Sequence, residues 1–340
     1  MAVIDPATLA RLPAGASSPA PLLEVDGLRV RLDAPQGSGM AIDGAGFRLA
    51  RGETLGLVGE SGSGKSLTAL SILRILPRPA ATLAGGRIMF DGVDLLALSE
   101  SEMRDYRGRR ISMVLQDPLS ALNPVLTIGD QIMEPLRRHR GMRGHALTER
   151  ATELLAMLNV PAPRDRLRSY PHEFSGGMRQ RVVGAIALAC DPELLIADEP
   201  TTSLDVTVQA QYLRLLRQLQ RERGLAILFI THDFGIVARM CDRVAVMYAG
   251  RVVETADTRT LFSDPLHPYT TALLRSVPEM NVDRSGRLAS IDGQPPSVFE
   301  RPPGCPFADR CPDVMERCRE VEPDPRTVAR DRLVRCWKYA

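Results

Sequence analysis

Lysine is almost missing from this sequence: of 43 lysines and arginines together, only Lys65 and Lys338 are lysine. Arginine supplies positive charge everywhere else. A lysine kept at position 65 therefore marks a place for a compact ammonium with three donors, where a wide planar guanidinium would not serve. Net charge is also small, +2, so the chain lacks the basic field by which nucleic-acid binders are recognised. Long apolar runs are missing too. One of the longest, "VVGAIALAC" (182–190), is well short of the roughly 18 residues that a membrane span needs. The opening "MAVIDPATLARLPAGASSPAP" has neither a charged start nor a long apolar stretch, so residues 1–21 read as a loose tail and not a signal peptide. A soluble, cytoplasmic chain is the expectation, with any link to a membrane made through a partner. Hydrophobic and charged contents of 44% and 25% are those of an ordinary globular protein. The length of 340 residues suits one large or two moderate domains.

The stretch around the lysine explains its retention. "GESGSGKS" (59–66) has the form G-x-x-x-x-G-K-[ST] of a phosphate-binding loop. It follows "TLGLVG" (54–59), an apolar run of buried-strand type. It opens "KSLTALSILRIL" (65–76), where Leu67, Leu70, Leu73 and Leu76 recur at helical spacing and Pro77 and Pro79 set a stop. A glycine-rich turn opening a helix aims backbone N–H groups and the positive end of the helix dipole at an anion. The expected nucleotide-binding stretch is Gly59, Glu60, Ser61, Gly62, Ser63, Gly64, Lys65, Ser66 and Leu67. Lys65 would neutralise the terminal phosphates and Ser66 would ligate Mg²⁺.

Downstream, "LLIADEP" (194–200) is an apolar strand ending in two carboxylates. Beside a phosphate loop, Asp198 is the expected Mg²⁺ ligand and Glu199 the base that takes a proton from the attacking water. "FSGGMRQR" (174–181) opens another helix at Ser175, Gly176 and Gly177, a second N-terminus suited to an anion. Residues 22–265 alternate short β-type runs, among them "AILFITH" (226–232) and "VAVMY" (244–248), with helical patterns such as 208–224, which Gly224 ends. That alternation predicts an α/β layer structure. After about residue 265 the texture turns Pro-rich and irregular, and a boundary is expected there.

"GESGSGKS", Gln116 in "VLQDP", "FSGGM", "LLIADEP", "SLD" (203–205) and His232 in "ITHD" stand in the order found in ABC-transporter ATPases, which residues 22–265 resemble. The resemblance implies a P-loop NTPase of the ABC type: a RecA-like core, an antiparallel β subdomain and a helical subdomain. It also implies that two such domains pair head to tail. Ser175, Gly176, Gly177 and Met178 would then touch ATP held by the partner. By the same likeness Gln116 joins the Mg²⁺ and senses the membrane subunit, His232 contacts the γ-phosphate, and Asp205 couples the two sites. "QDPLSALNPVLTIGDQI", "DEPTTSLDVTVQAQ", "HPYTTALLRSVP" and the tail "GCPFADRC" further resemble the ATP-binding subunits of dipeptide/oligopeptide importers. Related systems move nickel or glutathione. Implied partners are a second, nonidentical ATPase and two integral-membrane permease subunits, with a substrate-binding protein met indirectly. The implied location is the cytoplasmic side of the bacterial inner membrane, held peripherally. Apolar residues between Leu119 and Ile132 are expected to help receive a permease helix. The family stacks adenine on an aromatic side chain near the first strand, but 28–40 has none, and Leu32 falls about there. A soluble ABC-type ATPase acting on nucleic acid or the ribosome is the competing reading.

Six cysteines are unevenly placed. Cys190 and Cys241 sit in apolar segments, whereas Cys305, Cys311, Cys318 and Cys336 crowd the last 36 residues with spacing C-x5-C-x6-C-x17-C. The segment 266–340 is poor in core-forming residues and needs a staple. Disulfides do not suit a reducing cytoplasm, and zinc sites usually have tighter pairs. Four thiolates suit a 4Fe–4S cluster, and the tail resembles the cluster-binding extension of some peptide-importer ATPases. Zn²⁺ and unligated thiols remain the alternatives.

Overall fold

The computed structural model describes residues 21–202, 204–276 and 291–340. The expected tail, 1–21, and Ser203 of "SLD" lie outside the described residues, except for Pro21, which opens the first strand. The chain forms two compact units. One takes the described parts of Met1–Ala50, Thr54–Leu96 and Phe229–Ala340; the other takes Arg51–Glu53 and Ala97–Leu228.

In the first unit β1 (Pro21–Ala34) and β2 (Gly37–Ala50) form a long hairpin. With β4 (Ala81–Phe90) and β5 (Val93–Asp94) they make an antiparallel sheet in the order β2-β1-β4-β5. Its burial pattern contains a phase slip. Leu23 and Val25 are buried at odd positions, but Leu28 and Val30 at even ones. The register shifts between Val25 and Leu28, where Gly27 has φ +58°. An inserted residue in one strand reverses which side chains face inward, so the bulge keeps the apolar set on one face.

The same unit holds β3 (Thr54–Val58), wholly buried, lying parallel to β9 (Arg243–Tyr248). β10 (Arg251–Asp257) pairs antiparallel with β9. β12 (Arg332–Val334) and β11 (Arg326–Ala329), both from the tail, follow β10. The helix after the phosphate loop is Lys65–Ile72, shorter than its leucine spacing predicts. It closes through a left-handed Arg74 (φ +54°) and an Ile75 N–H bond to the Leu70 carbonyl, 3.0 Å. These are the marks of a Schellman stop. Besides Lys65, its buried positions are Thr68, Ala69, Ser71 and Ile72. Leu67 and Leu70, from the predicted stripe, are only half-buried.

In the second unit β6 (Ile111–Val114) and β7 (Leu194–Asp198) run parallel. Their bases are tied by Glu193, which accepts hydrogen bonds from Arg110 Nε (2.5 Å) and Arg51 Nη1 (2.8 Å). Helices Ile128–Arg140, Gly144–Met157 and Gly176–Leu188 pack on one another. The first buries Ile128, Ile132 and Leu136; the second buries Leu147, Ala151, Leu154 and Leu155, the i, i+3, i+4 stripe of an amphipathic helix. Helix Val206–Arg223 starts two residues earlier than its periodicity suggests because Asp205 caps it, and Gly224 (φ +64°) ends it. β8 (Ala226–Thr231) leads from this unit back to the first. No described helix is long and apolar enough to cross a membrane.

Candidate functional site

The phosphate loop joins buried β3 to the helix Lys65–Ile72. Glycine is required at both of its ends. A Cβ on Gly59 (φ +153°) would collide with the Met247 carbonyl, and one on Gly64 (φ +104°) would lie 2.9 Å from Met247 Cε and 3.2 Å from the Ala41 carbonyl oxygen. Lys65 is 6% exposed. Its Nζ donates to the carbonyls of Gly59 (2.8 Å) and Glu60 (2.9 Å) and reaches Ser63 Oγ at 3.4 Å. Three donors on one small head meet three acceptors inside a tight turn. A guanidinium is too wide for that space. The helix begins without a side-chain cap or an acidic residue in its first turn, and Ser66 is exposed there. Such an end favours a phosphate. His232 is exposed in the same unit, just past β8, where Asp233 caps the next helix through Gly235 N–H (2.7 Å) and Ile236 N–H (3.1 Å).

No aromatic side chain stands at the first-strand position where base stacking would be sought. Leu32 is half-buried and pairs with Gly39 in the hairpin. A Cβ on Gly39 would collide with the Val298 carbonyl. A shallow cleft runs beside these residues, lined by Met40, Ala41, Ser61, Ser63, Pro295 and Val298.

In the other unit Asp198 ends β7 and is 5% exposed. Glu199 follows in a left-handed backbone, φ +46°, a conformation that costs about 1–3 kcal/mol for a non-glycine residue and clusters at active sites. Its Oε2 accepts from Gln116 Nε2 (3.0 Å) and Thr202 Oγ1 (3.1 Å). Gln116, two residues past β6, is thus bonded to the carboxylate assigned as base. Ser175 caps the helix Gly176–Leu188, accepting from Met178 N–H at 3.4 Å, and both Ser175 and Gly176 are exposed. A Cβ on Gly177 would lie 2.7 Å from Val208 Cγ1. Asp205, whose carboxylate accepts from Thr207 N–H (3.1 Å) and Val208 N–H (2.9 Å), caps the helix that carries Val208. Beyond Gln116, Val125 (76% exposed) and Leu126 face solvent, whereas Leu122, Ile128 and Ile132 are buried.

The four tail cysteines line one cavity, with Phe307 and Trp337 beside them. None is in a disulfide. Burial pushes the Cys305 thiol up to about 12 and also raises Cys311 and Cys336. Among the described residues no group of three or more His, Cys, Asp or Glu is arranged to hold a metal ion. Two contributors to the loop were not singled out as site residues from the sequence. Glu60 N–H donates to the Tyr269 hydroxyl (2.8 Å), and Arg310 grips the Glu60 carboxylate through two bonds of 2.7 and 2.8 Å. Both lie in the segments "HPYTTALL" and "ADRC", which stood out only as marks of likeness.

A glycine-bounded phosphate loop, a strand ending in paired carboxylates and an exposed serine–glycine helix start define an ABC-type ATPase, and the chain belongs to the ABC transporter family, matching it over residues 42–202. Residues 253–318 match the C-terminal region of oligopeptide/dipeptide transporters, so the chain falls in that branch. It is 48% identical to the dipeptide transport ATP-binding protein DppD of Bacillus subtilis, over 93% of this chain and 94% of that one. To the oligopeptide transport ATP-binding protein OppD of Salmonella typhimurium it is 46% identical, over 99% and 98% respectively. Among solved structures, the dimeric post-hydrolysis state of the ATP-binding cassette MJ0796 bound to ADP and Pi is similar, with TM-score 0.63 and 27% identity. The match covers 69% of this chain and 98% of that one.

Proposed function

We propose that this chain binds and hydrolyses ATP to power an ABC importer of di- or oligopeptides, as one of two cassettes that close on ATP. The observation that carries this is the Lys65 loop, built around an ammonium and continued into an uncapped helix start. The relatives named for peptide transport supply the cargo class. Residues Gly59 to Leu67 bind the nucleotide. Ser66, Gln116 and Asp198 present hydroxyl, amide and carboxylate oxygens, a hard donor set that fits Mg²⁺. When bound, Mg²⁺ neutralises charge on the phosphates. Glu199 takes the proton of the attacking water, oriented by its bonds to Gln116 and Thr202, and His232 contacts the γ-phosphate. Ser175, Gly176, Gly177 and Met178 serve the ATP held by the partner, and Asp205 sets the helix against which Gly177 packs. The cassette runs to about residue 265 and the extension from 266.

The partners are a second, nonidentical ATPase and two permease subunits at the cytoplasmic face of the inner membrane. Exposed Val125 and Leu126 meet a permease helix. For adenine, the cleft beside Pro295 and Val298 offers an aliphatic wall. Co-expression with hydrophobic permease subunits tests the assignment. Co-purification and ATP-dependent peptide uptake into vesicles are the expected results. Failure to co-purify, with ATPase stimulation by RNA or ribosomes, overturns it in favour of the nucleic-acid reading.

We further propose that Cys305, Cys311, Cys318 and Cys336 hold a 4Fe–4S cluster. In support, the four thiols, none of them in a disulfide, line one pocket. Protein purified without oxygen should be brown, with iron and sulfide that Cys311→Ser removes. Colourless protein with one zinc per chain would overturn the cluster.

A further inference from the structure

The tail does more than fill space behind the sheet. Arg310 has a side chain 5% exposed, and all five of its N–H donors are used. Nη1 donates to Glu60 Oε2 (2.7 Å) and the Tyr248 hydroxyl (3.2 Å). Nη2 donates to Glu60 Oε1 (2.8 Å) and the Ile291 carbonyl (3.3 Å), and Nε to the Asp292 carbonyl (3.0 Å). Its guanidinium carbon sits 5.8 Å from the centre of the Tyr248 ring and 5.9 Å from that of Phe307. Tyr269, which accepts from Glu60 N–H, packs on both rings at 4.5 and 5.3 Å.

Glu60 is the second residue of the phosphate loop. Its carboxylate is fixed by Arg310, its N–H by Tyr269, and its carbonyl accepts from Lys65 Nζ (2.9 Å). One loop residue thus connects the tail to the phosphate-binding ammonium. Only a planar fork can satisfy a carboxylate with two parallel bonds while donating to three further oxygens.

We propose that Arg310 is a positioning residue for the phosphate loop: by locking Glu60 it holds Lys65 and the loop in the shape that receives ATP. The tail's cysteine segment, of which Cys311 is the next residue, is thereby made part of the nucleotide site. This rests on the loop being the ATP site.

The test is a double-variant cycle on the full chain, with MgATP affinity measured by calorimetry. Arg310→Met keeps the contacts with the rings and removes the fork. Removing one partner of a buried charge pair leaves the other uncompensated, so affinity should fall by about tenfold. Arg310→Lys should fail similarly. Glu60→Gln, at a side chain 26% exposed, should weaken binding several-fold. Combining it with Arg310→Met should be no worse than the worse single variant. In the assembled transporter the KM for ATP should rise while kcat at saturating ATP stays within about twofold, a split that general loss of fold does not give. Wild-type affinity in Arg310→Met, or losses that multiply in the double variant, overturns the proposal. Should Arg310→Met not fold, wild-type affinity in Glu60→Gln does the same. Lys65→Ala separates the two readings. If it loses ATP while Arg310→Met does not, this inference alone fails; if it keeps ATP, the loop assignment fails.

Discussion

At the scale of single residues, the proposed chemistry rests on two side chains held in unusual settings. Lys65 is solvated by its own loop, two carbonyls and a hydroxyl standing around a buried ammonium. The space admits a point charge, so Lys65→Arg should lose ATP binding nearly as completely as Lys65→Ala despite keeping its charge. Nucleotide titration of the two variants side by side checks this. Glu199 is held in a left-handed backbone with one oxygen shared by Gln116 and Thr202. Replacing its carboxylate with an amide of equal size removes the proposed base and leaves the binding surface intact. Glu199→Gln should therefore slow turnover by about 10²–10⁴-fold, measured with the partner subunits present, while ATP still binds.

At the scale of elements, the helix Gly176–Leu188 meets Val206–Arg223 at a point where there is room for no side chain. A methyl group on Gly177 would lie 2.7 Å from Val208 Cγ1. Overpacking of this kind costs about 1–3 kcal/mol. Gly177→Ala should lower the melting temperature, and adding Val208→Ala should restore much of it; scanning calorimetry of the single and double variants tests both. A pH effect belongs at this scale too. The Arg110 hydrogen bond, ahead of opposing burial, and then Arg51 hold the Glu193 carboxyl below the usual carboxylate range. That stabilisation is present above the ordinary glutamate pKa and is lost as pH falls through the lowered one. For a partly exposed pair it amounts to about 0.5–1 kcal/mol. Acid titration of melting temperature should show a shallower slope in Glu193→Gln. Elements with a local signal were legible in the sequence: β3, β7, the Ser175 helix start and the Gly224 stop all lie where spacing and caps put them. The helix after the phosphate loop was read too long. Four evenly spaced leucines carry no sign that Arg74 turns left-handed, and the buried face runs instead through Thr68, Ala69, Ser71 and Ile72. The Arg310–Glu60 pair was illegible for a different reason. Its members are 250 residues apart, and such a pairing leaves no periodic trace in either segment.

At the scale of the whole molecule, Ser175 and Gly176 are exposed at a helix N-terminus with no acidic residue in its first turn. On the proposed pairing, the chain alone should hydrolyse ATP slowly, and turnover should rise on adding the second cassette, which a coupled phosphate-release assay can follow. The β11–β12 hairpin has a separate consequence for how the folded chain avoids its neighbours. β10 is rich in buried valine and alanine, and without β12 its outer flank would be an open row of N–H and C=O groups. Such an edge templates pairing with other chains. The hairpin β11–β12 takes that place and brings Arg326, Arg330, Asp331 and Arg332 to the rim, with every residue of β11 exposed. A chain lacking the β11–β12 hairpin would carry an uncovered apolar strand and be prone to aggregate, so this hairpin is what keeps neighbouring copies apart.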